Sequence, residues 1–318
     1  MGMLFNIILL CIGLLLLYWG GSTLIQSARR TAGLLGVSAL VISLTVVAFS
    51  TSAPELLVSV MASFQGESGI ALGNVIGSNI ANVGLILGLA LLIWPIKSDE
   101  KVLRKEYPLL IIVSVLLLLF SLDMRLERWE GYLMLLLFLL YVVYYIWTSE
   151  KSIGEKIKGV LPKDTPDFRK KVINGIVFIC LSGAALILGS KLLVDSSVEI
   201  ARAVGVSELV IGLSIVAIGT SLPELATVIT ASLKHDEKVT LGTILGSNIF
   251  NILLILSIAI IIRPITIPAS FLRFDVLMMV LFSLAVYPIL PKQIRTTRFF
   301  GVIFLVWYGT YIAVKFIV

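Results

Sequence analysis

Long apolar stretches cover almost the whole chain, and short polar stretches separate them. About 20 consecutive apolar residues are enough for an α-helix to cross the hydrocarbon core of a bilayer. Runs of roughly that length follow one another along the chain, so the pattern predicts ten membrane-spanning helices. The predicted spans are 4–25, 37–62, 69–94, 106–122, 130–148, 172–196, 206–232, 240–262, 273–291 and 298–317.

The composition supports the same fold class. Of the 318 residues, 58% are hydrophobic and 14% are charged, and the mean hydropathy is +1.07. These values predict an all-α polytopic membrane protein. The formal net charge of +6 does not indicate nucleic-acid binding, because basic residues collect in the cytoplasmic loops of membrane proteins. Cys11 and Cys180 lie in apolar runs and predict buried packing thiols, with no disulfide or metal site.

The longest polar stretch, residues 149–171, divides the chain. It contains seven lysines and arginines together with glycines and prolines, which predicts a mobile basic linker. On either side lie a first five-helix repeat, residues 1–148, and a second, residues 172–318. Lysine and arginine are concentrated in the odd-numbered loops, and the positive-inside rule places such loops in the cytoplasm. We therefore expect a plasma-membrane protein with both termini extracellular and the linker cytoplasmic.

An internal repeat is the strongest signal in the sequence. Residues 36–82 align without a gap with residues 205–251, at an offset of 169 positions. Between residues 40–63 and 209–232, 13 of 24 positions are identical. Equivalent helices are five spans apart, which is an odd number, so the second repeat is predicted to be inserted upside down. Two inverted five-helix repeats with interrupted helices are typical of secondary transporters, whose site lies at the repeat interface.

A proline followed by a glutamate occurs deep in an apolar run of each repeat, as Pro54-Glu55 and Pro223-Glu224. Proline lacks an N–H and clashes with the carbonyl four residues earlier, so we expect the helix to break and to release carbonyl oxygens. An ionisable side chain at the bilayer centre costs roughly 3 kcal/mol, so a matched pair indicates a function. Carboxylate, hydroxyl and carbonyl oxygens favour hard cations such as Ca²⁺ and Na⁺.

The next helix of each repeat carries a second shared motif, Gly-x-x-x-Gly followed by serine and asparagine. The glycines, which predict close helix packing, are Gly73, Gly77, Gly242 and Gly246. Ser78 and Asn82 lie four residues apart on one helix face, as do Ser247 and Asn251. They predict either hydrogen bonds between helices or a part in an ion pathway, and their recurrence beside the acidic motif favours the pathway. Two further residues fit either role, Asn79 and Asn248.

The paired Thr-Ser-x-Pro-Glu and Gly-Ser-Asn-Ile-x-Asn motifs carry a family resemblance. The chain resembles the cation/Ca²⁺ antiporter superfamily, specifically its prokaryotic Na⁺/Ca²⁺ exchanger branch, closely in both repeats and in its layout of five plus five spans throughout. The resemblance implies that Ca²⁺ binds the side chains of Glu55 and Glu224 and the backbone carbonyls of Thr51 and Thr220. It implies a set of residues for Na⁺ or for a shared site: Ser52, Ser221, Ser78, Ser247, Ala48, Ala217, Asn82 and Asn251.

Two positions depart from the family pattern. Ser50 replaces the glycine usual before the first Thr-Ser, and this serine either stiffens the break or adds a hydroxyl. Asn251 stands where some prokaryotic relatives carry an acid, which removes a possible charge. Two neutral amides, Asn82 and Asn251, stand where titratable side chains would be expected for proton coupling, so they disfavour that mechanism. Glu55 and Glu224 remain able to carry protons.

The sequence therefore predicts a secondary active antiporter that exchanges Na⁺ for Ca²⁺ by alternating access. The resemblance implies that helices 1 and 6 slide against the rest. An antiporter for Ca²⁺ or another divalent cation that is coupled to H⁺ through the same carboxylates remains an alternative. A Ca²⁺ channel is less favoured, because channel filters are usually rings of subunits or repeats around a pore. An intramembrane enzyme is a further alternative, but the sequence has neither a His/Cys metal cluster nor an evident nucleophile–base pair that would indicate one.

The expected partners follow from this function. Ca²⁺ and Na⁺ are the transported ions, the lipid bilayer is the surrounding medium, and no cofactor, nucleic acid or obligate protein partner is expected. His235, the only histidine, falls between charged residues and predicts a solvated loop. Asp275 lies near a predicted helix end and is expected at the membrane interface.

Overall fold

The computed structural model is almost entirely helical and describes residues 3–35, 46–66, 68–96, 105–156, 166–203, 219–289 and 297–317. Its α-helices are Met3–Leu35, Ala48–Thr51, Ala53–Gln65, Ser68–Ala81, Gly88–Ile93, Tyr107–Phe120, Arg128–Lys156, Pro166–Ala203, Leu222–Leu233, Glu237–Phe250, Ser257–Ile262, Ala269–Phe271, Leu277–Ala285 and Thr297–Ile317. Its π-helical segments are Asn82–Leu87, Asn251–Leu256 and Leu272–Val276, and its 3₁₀ turns are Ser121–Asp123 and Tyr287–Ile289. Its two short strands are Arg125–Leu126 and Ile265–Thr266.

Within the described residues, five helices are long and apolar enough to cross a membrane. They are Met3–Leu34, Gly69–Ile93, Asp167–Gly189, Glu237–Ile262 and Arg298–Lys315. Two further apolar helices are shorter, Tyr107–Asp123 and Leu222–Leu233. The predicted spans 37–62 and 206–232 each run into residues outside the described part of the chain. The chain is thus a multi-pass helical membrane protein.

The helices on either side of the predicted linker extend into it. Arg128–Lys156 ends inside the stretch 149–171, and Pro166–Ala203 begins inside it. Residues 157–165, between these two helices, lie outside the described residues. The division of the chain at this linker stays a prediction.

Two helices, which we name the first acid helix (Ala53–Gln65) and the second acid helix (Leu222–Leu233), begin at the Pro-Glu pairs. The preceding residues, Ser52 and Ser221, have ψ angles of 9° and 8°. An α-helical residue has a ψ of about −42°, so each serine interrupts the helical path. The two serine carbonyls accept the first backbone hydrogen bonds of the new helices, at 3.1 and 3.0 Å. The break predicted from Pro54 is confirmed, because one helix ends directly before Ser52 and the next begins directly after it.

Each repeat continues with a helix that changes its winding in the middle. We name residues 68–93 the first amide helix and residues 237–262 the second amide helix. Six residues of each are π-helical, Asn82–Leu87 in the first and Asn251–Leu256 in the second. The apolar pattern predicted uninterrupted helices here. A π segment inside an α-helix is rare and is found frequently at functional sites.

The repeats interlock through their last helices. The Gly88–Ile93 part of the first amide helix packs against Thr297–Ile317, and the Ser257–Ile262 part of the second packs against Arg128–Lys156. A Cβ on Gly301 would lie 2.8 Å from the Gly88 carbonyl oxygen, so this approach depends on glycine. The last described helix of each repeat therefore covers the amide helix of the other repeat.

Contacts between loops differ at the two ends of the first amide helix. At its C-terminal end, the Trp94 ring stacks on His235, with ring centroids 3.5 Å apart. At its N-terminal end, the equivalent contact brings the Arg263 guanidinium against Gly66. Both loop residues have positive φ, 57° at His235 and 89° at Gly66. One end thus carries a ring stack where the other has an arginine on a glycine.

Polar and apolar side chains are arranged inside out relative to a protein in water. Large apolar side chains face outward, for example Leu15, which is 68% exposed, and Val306, which is 63% exposed. Polar side chains of the acid and amide helices are buried. The prediction that Cys11 and Cys180 are buried is wrong, because both are exposed. Their helices are apolar on every side, so hydrophobicity alone cannot separate a lipid-facing position from a packed one.

The two longest helices, Met3–Leu35 and Pro166–Ala203, run against each other along an extensive interface. A Cβ on Gly189 would lie 2.9 Å from the Gly13 carbonyl oxygen. Met3–Leu35 also touches the second acid helix, where a Cβ on Gly21 would lie 3.2 Å from a backbone oxygen. This helix pair is therefore packed directly against an element that carries one of the buried acids.

Candidate functional site

The two glutamates of the repeated motif lie inside the molecule. Glu55 is 1% exposed and Glu224 is 2% exposed. Each is the third residue of its acid helix, directly after a proline. A carboxylate in the first turn of a helix is stabilised by the unpaired N–H groups and the positive end of the helix dipole. Breaking the helix at this depth thus creates a favourable place for a buried negative charge.

Hydrogen bonds to the two carboxylates cross between the repeats. The Ser52 hydroxyl, from the first repeat, donates to Glu224 Oε1 at 2.7 Å. The Ser221 hydroxyl, from the second repeat, donates to Glu55 Oε1 at 3.2 Å. Each carboxylate is therefore oriented by the serine that opens the acid helix of the other repeat.

The serines of the amide helices join the same network. Ser247 donates to Glu224 Oε1 at 3.4 Å, and Ser78 Oγ lies within hydrogen-bond distance of the Ser221 hydroxyl, at 3.2 Å. Ser78 and Ser247 are fully or almost fully buried. All four serines predicted for the site are thus brought together around the two glutamates.

Four buried oxygen atoms of the predicted site residues have no hydrogen-bond partner among the described residues. They are Glu55 Oε2, Glu224 Oε2, Asn82 Oδ1 and Asn251 Oδ1. Buried polar atoms are almost always hydrogen-bonded, so unpaired oxygens indicate a missing partner. Carboxylate and amide oxygens are ligands that Ca²⁺ and other hard cations prefer. The arrangement can hold a cation between the repeats.

The charge of the site points to the same partner. The ion pairs found among the described residues include neither Glu55 nor Glu224. The described residues also contain no group of three or more His, Cys, Asp and Glu side chains suited to a metal ion. Two ionised carboxylates would therefore lack a neighbouring cationic side chain, and a bound cation would supply the compensating charge.

Four asparagines join the amide helices where each packs against the π segment of the other. Asn82 Nδ2 donates to Asn248 Oδ1, and Asn251 Nδ2 donates to Asn79 Oδ1, both at 2.9 Å. Asn79 Nδ2 donates to the backbone carbonyl of Asn248 at 3.4 Å, and Asn248 Nδ2 donates to that of Asn79 at 3.3 Å. We name this group the asparagine tetrad. The sequence left Asn79 and Asn248 between two roles, and both lie in contacts between the amide helices.

Three of the four predicted backbone ligands, Ala48, Thr51 and Thr220, lie within the four residues before an interrupting serine. Thr51 is fully buried, and its hydroxyl donates to the Ala48 carbonyl at 3.1 Å. The same carbonyl accepts from the Ser52 N–H at 2.9 Å, so Ala48 already carries two hydrogen bonds. Thr220 Oγ1 donates to Asn74 Oδ1 at 3.4 Å. Ala217 lies outside the described residues.

Two features around the break answer questions that the sequence left open. The Ser50 hydroxyl donates to the Val46 carbonyl at 2.7 Å, four residues back in its own helix. This serine therefore stabilises the segment before the break and does not turn its hydroxyl to the glutamates.

The glycines of the first amide helix have open space beside them. A Cβ on Gly73 or Gly77 would meet no atom within 4 Å. The close helix packing predicted at these two glycines is wrong, and open space lies beside them.

Asn74 is a site residue that the sequence did not single out. Its Nδ2 donates to the Glu55 backbone carbonyl at 3.0 Å and to Ser59 Oγ at 2.9 Å. It thereby fastens the first acid helix to the first amide helix directly at the buried acid. A signal was present, because Asn74 lies four residues before Ser78 and thus on the same helix face.

The sequence also predicted the locations of two side chains outside the centre, Asp275 and His235. Asp275, which was expected at the membrane interface, is 1% exposed and accepts hydrogen bonds from Tyr311 and Lys315 at 2.7 and 2.5 Å. Its depth in the membrane stays a prediction. Asp275 lies in the π segment Leu272–Val276. His235 is exposed in a short loop, as predicted.

Comparison with known proteins places this geometry in context. The profile of a family described as sodium/calcium exchanger protein matches residues 5–147 and 174–317. The sodium/calcium exchanger MaX1 of Methanosarcina acetivorans is 33% identical over 346 aligned positions, with 98% of each chain covered. The putative antiporter CaxA of Alkalimonas amylolytica is 40% identical over 273 positions, with 84% of each chain covered.

Solved structures show the same similarity. The sodium-calcium exchanger NCX_Mj, soaked with Na⁺ and without Ca²⁺, superposes with a TM-score of 0.82 at 30% identity, covering 98% of this chain and 99% of the other. The same protein soaked with Na⁺ and Sr²⁺ superposes with a TM-score of 0.83. The helices described above therefore form the membrane fold of that exchanger.

Proposed function

Because the chain belongs to the sodium/calcium exchanger family, a family of cation/Ca²⁺ antiporters and not of enzymes, we propose that it exchanges Na⁺ for Ca²⁺ by alternating access. The observation that carries the proposal is the crossed pair of buried glutamates, each with one carboxylate oxygen bonded across the repeats and one without a partner. Two carboxylates neutralise one Ca²⁺ or two Na⁺. The same pair cannot fully satisfy both loads at once, so the two ions compete for it.

We assign the ligands by the chemistry of their oxygens. Ca²⁺ binds the carboxylates of Glu55 and Glu224 together with the backbone carbonyls of Thr51 and Thr220. Na⁺ takes the hydroxyl, amide and carbonyl oxygens around them, from Ser52, Ser221, Ser78, Ser247, Ala48, Ala217, Asn82 and Asn251. The buried hydroxyls and the unpaired amide oxygens support this assignment. The Ala48 carbonyl, which already accepts two hydrogen bonds, supports it least.

The proposed architecture is ten spans in two inverted five-helix repeats. The interlocking of each repeat's last helix with the amide helix of the other supports it, as do the crossed hydrogen bonds at the glutamates. We further propose a plasma-membrane location. The distribution of basic residues supports extracellular termini and a cytoplasmic linker.

Alternating access requires an element that moves against the ion site. The long helices Met3–Leu35 and Pro166–Ala203 suit that role because glycines line their contact, and backbones in close contact with few side chains between them can slide. Met3–Leu35 also rests on the second acid helix. A shift of this pair would therefore change the access to Glu224.

The test is uptake of radioactive Ca²⁺ into proteoliposomes. Vesicles loaded with Na⁺ are diluted into Na⁺-free buffer, and uptake is compared with vesicles that carry only a pH gradient. We expect uptake that requires internal Na⁺ and is abolished in Glu55→Gln and in Glu224→Gln.

Two other outcomes would change the assignment. Uptake driven by the pH gradient alone would make the protein an H⁺-coupled antiporter with the same carboxylates. Uptake that ignores both gradients but still needs the glutamates would make it a channel and would refute exchange.

A further inference from the structure

The asparagine tetrad contains two kinds of residue. Asn82 and Asn251 each have an unpaired, buried Oδ1. Asn79 and Asn248 use their own Oδ1 atoms to accept the Nδ2 groups of Asn251 and Asn82, at 2.9 Å in both cases. One pair offers oxygen atoms and the other pair binds the amide nitrogens.

An asparagine side chain can present either end, because its oxygen and its NH₂ group are similar in size and opposite in polarity. Near a cation the oxygen attracts and the NH₂ group repels. A neutral amide is therefore a useful ligand only if its rotation is fixed. Asn248 Oδ1 fixes the nitrogen of Asn82, and Asn79 Oδ1 fixes that of Asn251, so the oxygen is left free in each case.

Asn79 and Asn248 are themselves held rigidly. Each donates its Nδ2 to the backbone carbonyl of the other, and Asn79 Nδ2 also contacts Met279 Sδ at 3.6 Å. Both are at most 1% exposed. Their own amides therefore cannot turn without breaking the contact between the two amide helices.

We propose that Asn79 and Asn248 are positioning residues, which orient the carboxamides of Asn251 and Asn82 so that their oxygens face the transported cation. The proposal rests on the proposed function, since it concerns ligands of that same site. Each repeat orients a ligand of the other repeat, in the same crossed manner in which Ser52 and Ser221 orient the glutamates. A change in the packing of the amide helices would therefore change both halves of the site together.

The experiment removes the acceptor and then removes the need for it. Asn79→Leu keeps the branched shape but loses the oxygen that binds Asn251 Nδ2, so the Asn251 amide is free to present its NH₂ group. Outer-shell changes of this kind weaken metal binding by about tenfold to a hundredfold. Adding Asn251→Asp to this variant gives a side chain with oxygen at both positions, which needs no orientation.

The measurement is Ca²⁺-dependent and Na⁺-dependent stabilisation of the purified full-length protein against thermal unfolding, which requires no transport. We expect Asn79→Leu to raise the Ca²⁺ concentration for half-maximal stabilisation at least tenfold. We expect the double variant to bind Ca²⁺ at least as tightly as Asn251→Asp alone, because orientation no longer matters and Asn79→Leu also removes the acceptor oxygen that the new carboxylate would face. Asn248→Leu with Asn82→Asp repeats the test in the other half.

A matched control uses a contact between two other side chains that are also 169 residues apart. Ser114 and Ser283 are both buried and lie 3.4 Å apart outside the site. Ser114→Ala should leave the Ca²⁺ and Na⁺ concentrations for half-maximal stabilisation unchanged.

Three results separate the proposal from its alternatives. A wild-type protein that neither Ca²⁺ nor Na⁺ stabilises would refute the proposed function itself. If the wild type responds and Asn79→Leu responds equally, the positioning role is wrong. If the losses of Asn79→Leu and Asn251→Asp simply add, or if the leucine variants of both halves fail to fold with or without the aspartate, then the tetrad only holds the helices together and the proposal is overturned.

Discussion

The two halves of the site share their motifs but differ in what surrounds them. In the first half, Asn74 binds the Glu55 carbonyl and the Ser59 hydroxyl, and it accepts a hydrogen bond from Thr220. The equivalent positions in the second half, 169 residues later, are Thr243 and Val228. Thr243 has no amide group that could donate to a backbone carbonyl as Asn74 does. Val228 has no hydroxyl that could accept a hydrogen bond as Ser59 does. The first acid helix is therefore fastened to its amide helix by a network that the second lacks.

Two unpaired threonine hydroxyls lie in the second half. Thr243 and Thr227 are fully buried, and neither Oγ1 has a hydrogen-bond partner among the described residues. The equivalents of these threonines in the first repeat are Asn74 and Val58. An internal repeat thus need not fasten its two halves through the same residues. In the first half Asn74 joins the acid helix to the amide helix. In the second half, against which Met3–Leu35 rests, the contacts of Ser247 with Glu224 and of Ser232 with Thr240 join them.

The largest effect should come from opening the network of the first half. Asn74→Leu leaves the Ser59 hydroxyl and the Glu55 carbonyl without their amide partner. A buried polar group that loses its partner costs about 1–3 kcal/mol, so we expect the free energy of unfolding to fall by about 2 kcal/mol. Denaturant titration of the purified protein measures it. A fall smaller than that of Ser59→Ala alone would show that Asn74 does not fasten the two helices.

A smaller and balanced effect is expected at the crossed serines. Ser52→Ala removes a donor to Glu224, and Ser221→Ala removes a donor to Glu55. Because both carboxylates then lose part of their orientation, the Ca²⁺ concentration for half-maximal uptake should rise by about tenfold in each variant. Proteoliposome uptake at varied external Ca²⁺ is the measurement. If the Ca²⁺ concentrations for half-maximal uptake of the two variants differ from each other by more than about tenfold, then the two halves also differ in how they orient their carboxylates.

The smallest effect is expected at Thr243. Thr243→Val replaces a buried hydroxyl that has no partner with a methyl group of similar size, so stability should be unchanged or should rise by up to about 1 kcal/mol. Thr240→Val is the matched control, because the Thr240 hydroxyl lies 3.4 Å from Ser232 Oγ and its loss should destabilise. Denaturant titration compares both variants with the wild type. A clear loss of stability in Thr243→Val would show that this hydroxyl has a partner in the working protein.

Much of this fold followed from the sequence, because the strongest constraints on it are local. A proline inside an apolar run dictates a break wherever it falls, and Ser52 ends one helix as Pro54 requires. The gapless repeat at an offset of 169 residues then implied that Glu224 would meet an equivalent environment. The serines predicted to accompany the glutamates are brought to them in the structure.

The rest depended on contacts between distant elements. The crossing of Ser52 to Glu224 could not be read from either motif alone, since each motif is equally compatible with bonds inside its own repeat. The roles of Asn74 and Asn79 likewise depend on which atoms of another helix lie opposite. The apolar pattern failed at Cys11, because in a membrane protein both the packed and the lipid-facing sides of a helix are apolar.

The π segments at Asn82–Leu87 and Asn251–Leu256 have a consequence for the direction of the side chains around them. A π turn closes its hydrogen bonds over five residues where an α-turn uses four, so the residues after it are rotated relative to an uninterrupted α-helix. Both segments occupy the same six positions of the gapless alignment, so both amide helices change their facing direction at the same point. By contrast, the side chains at Asn74 and Thr243, or at Gly66 and His235, differ between the equivalent positions of the two repeats.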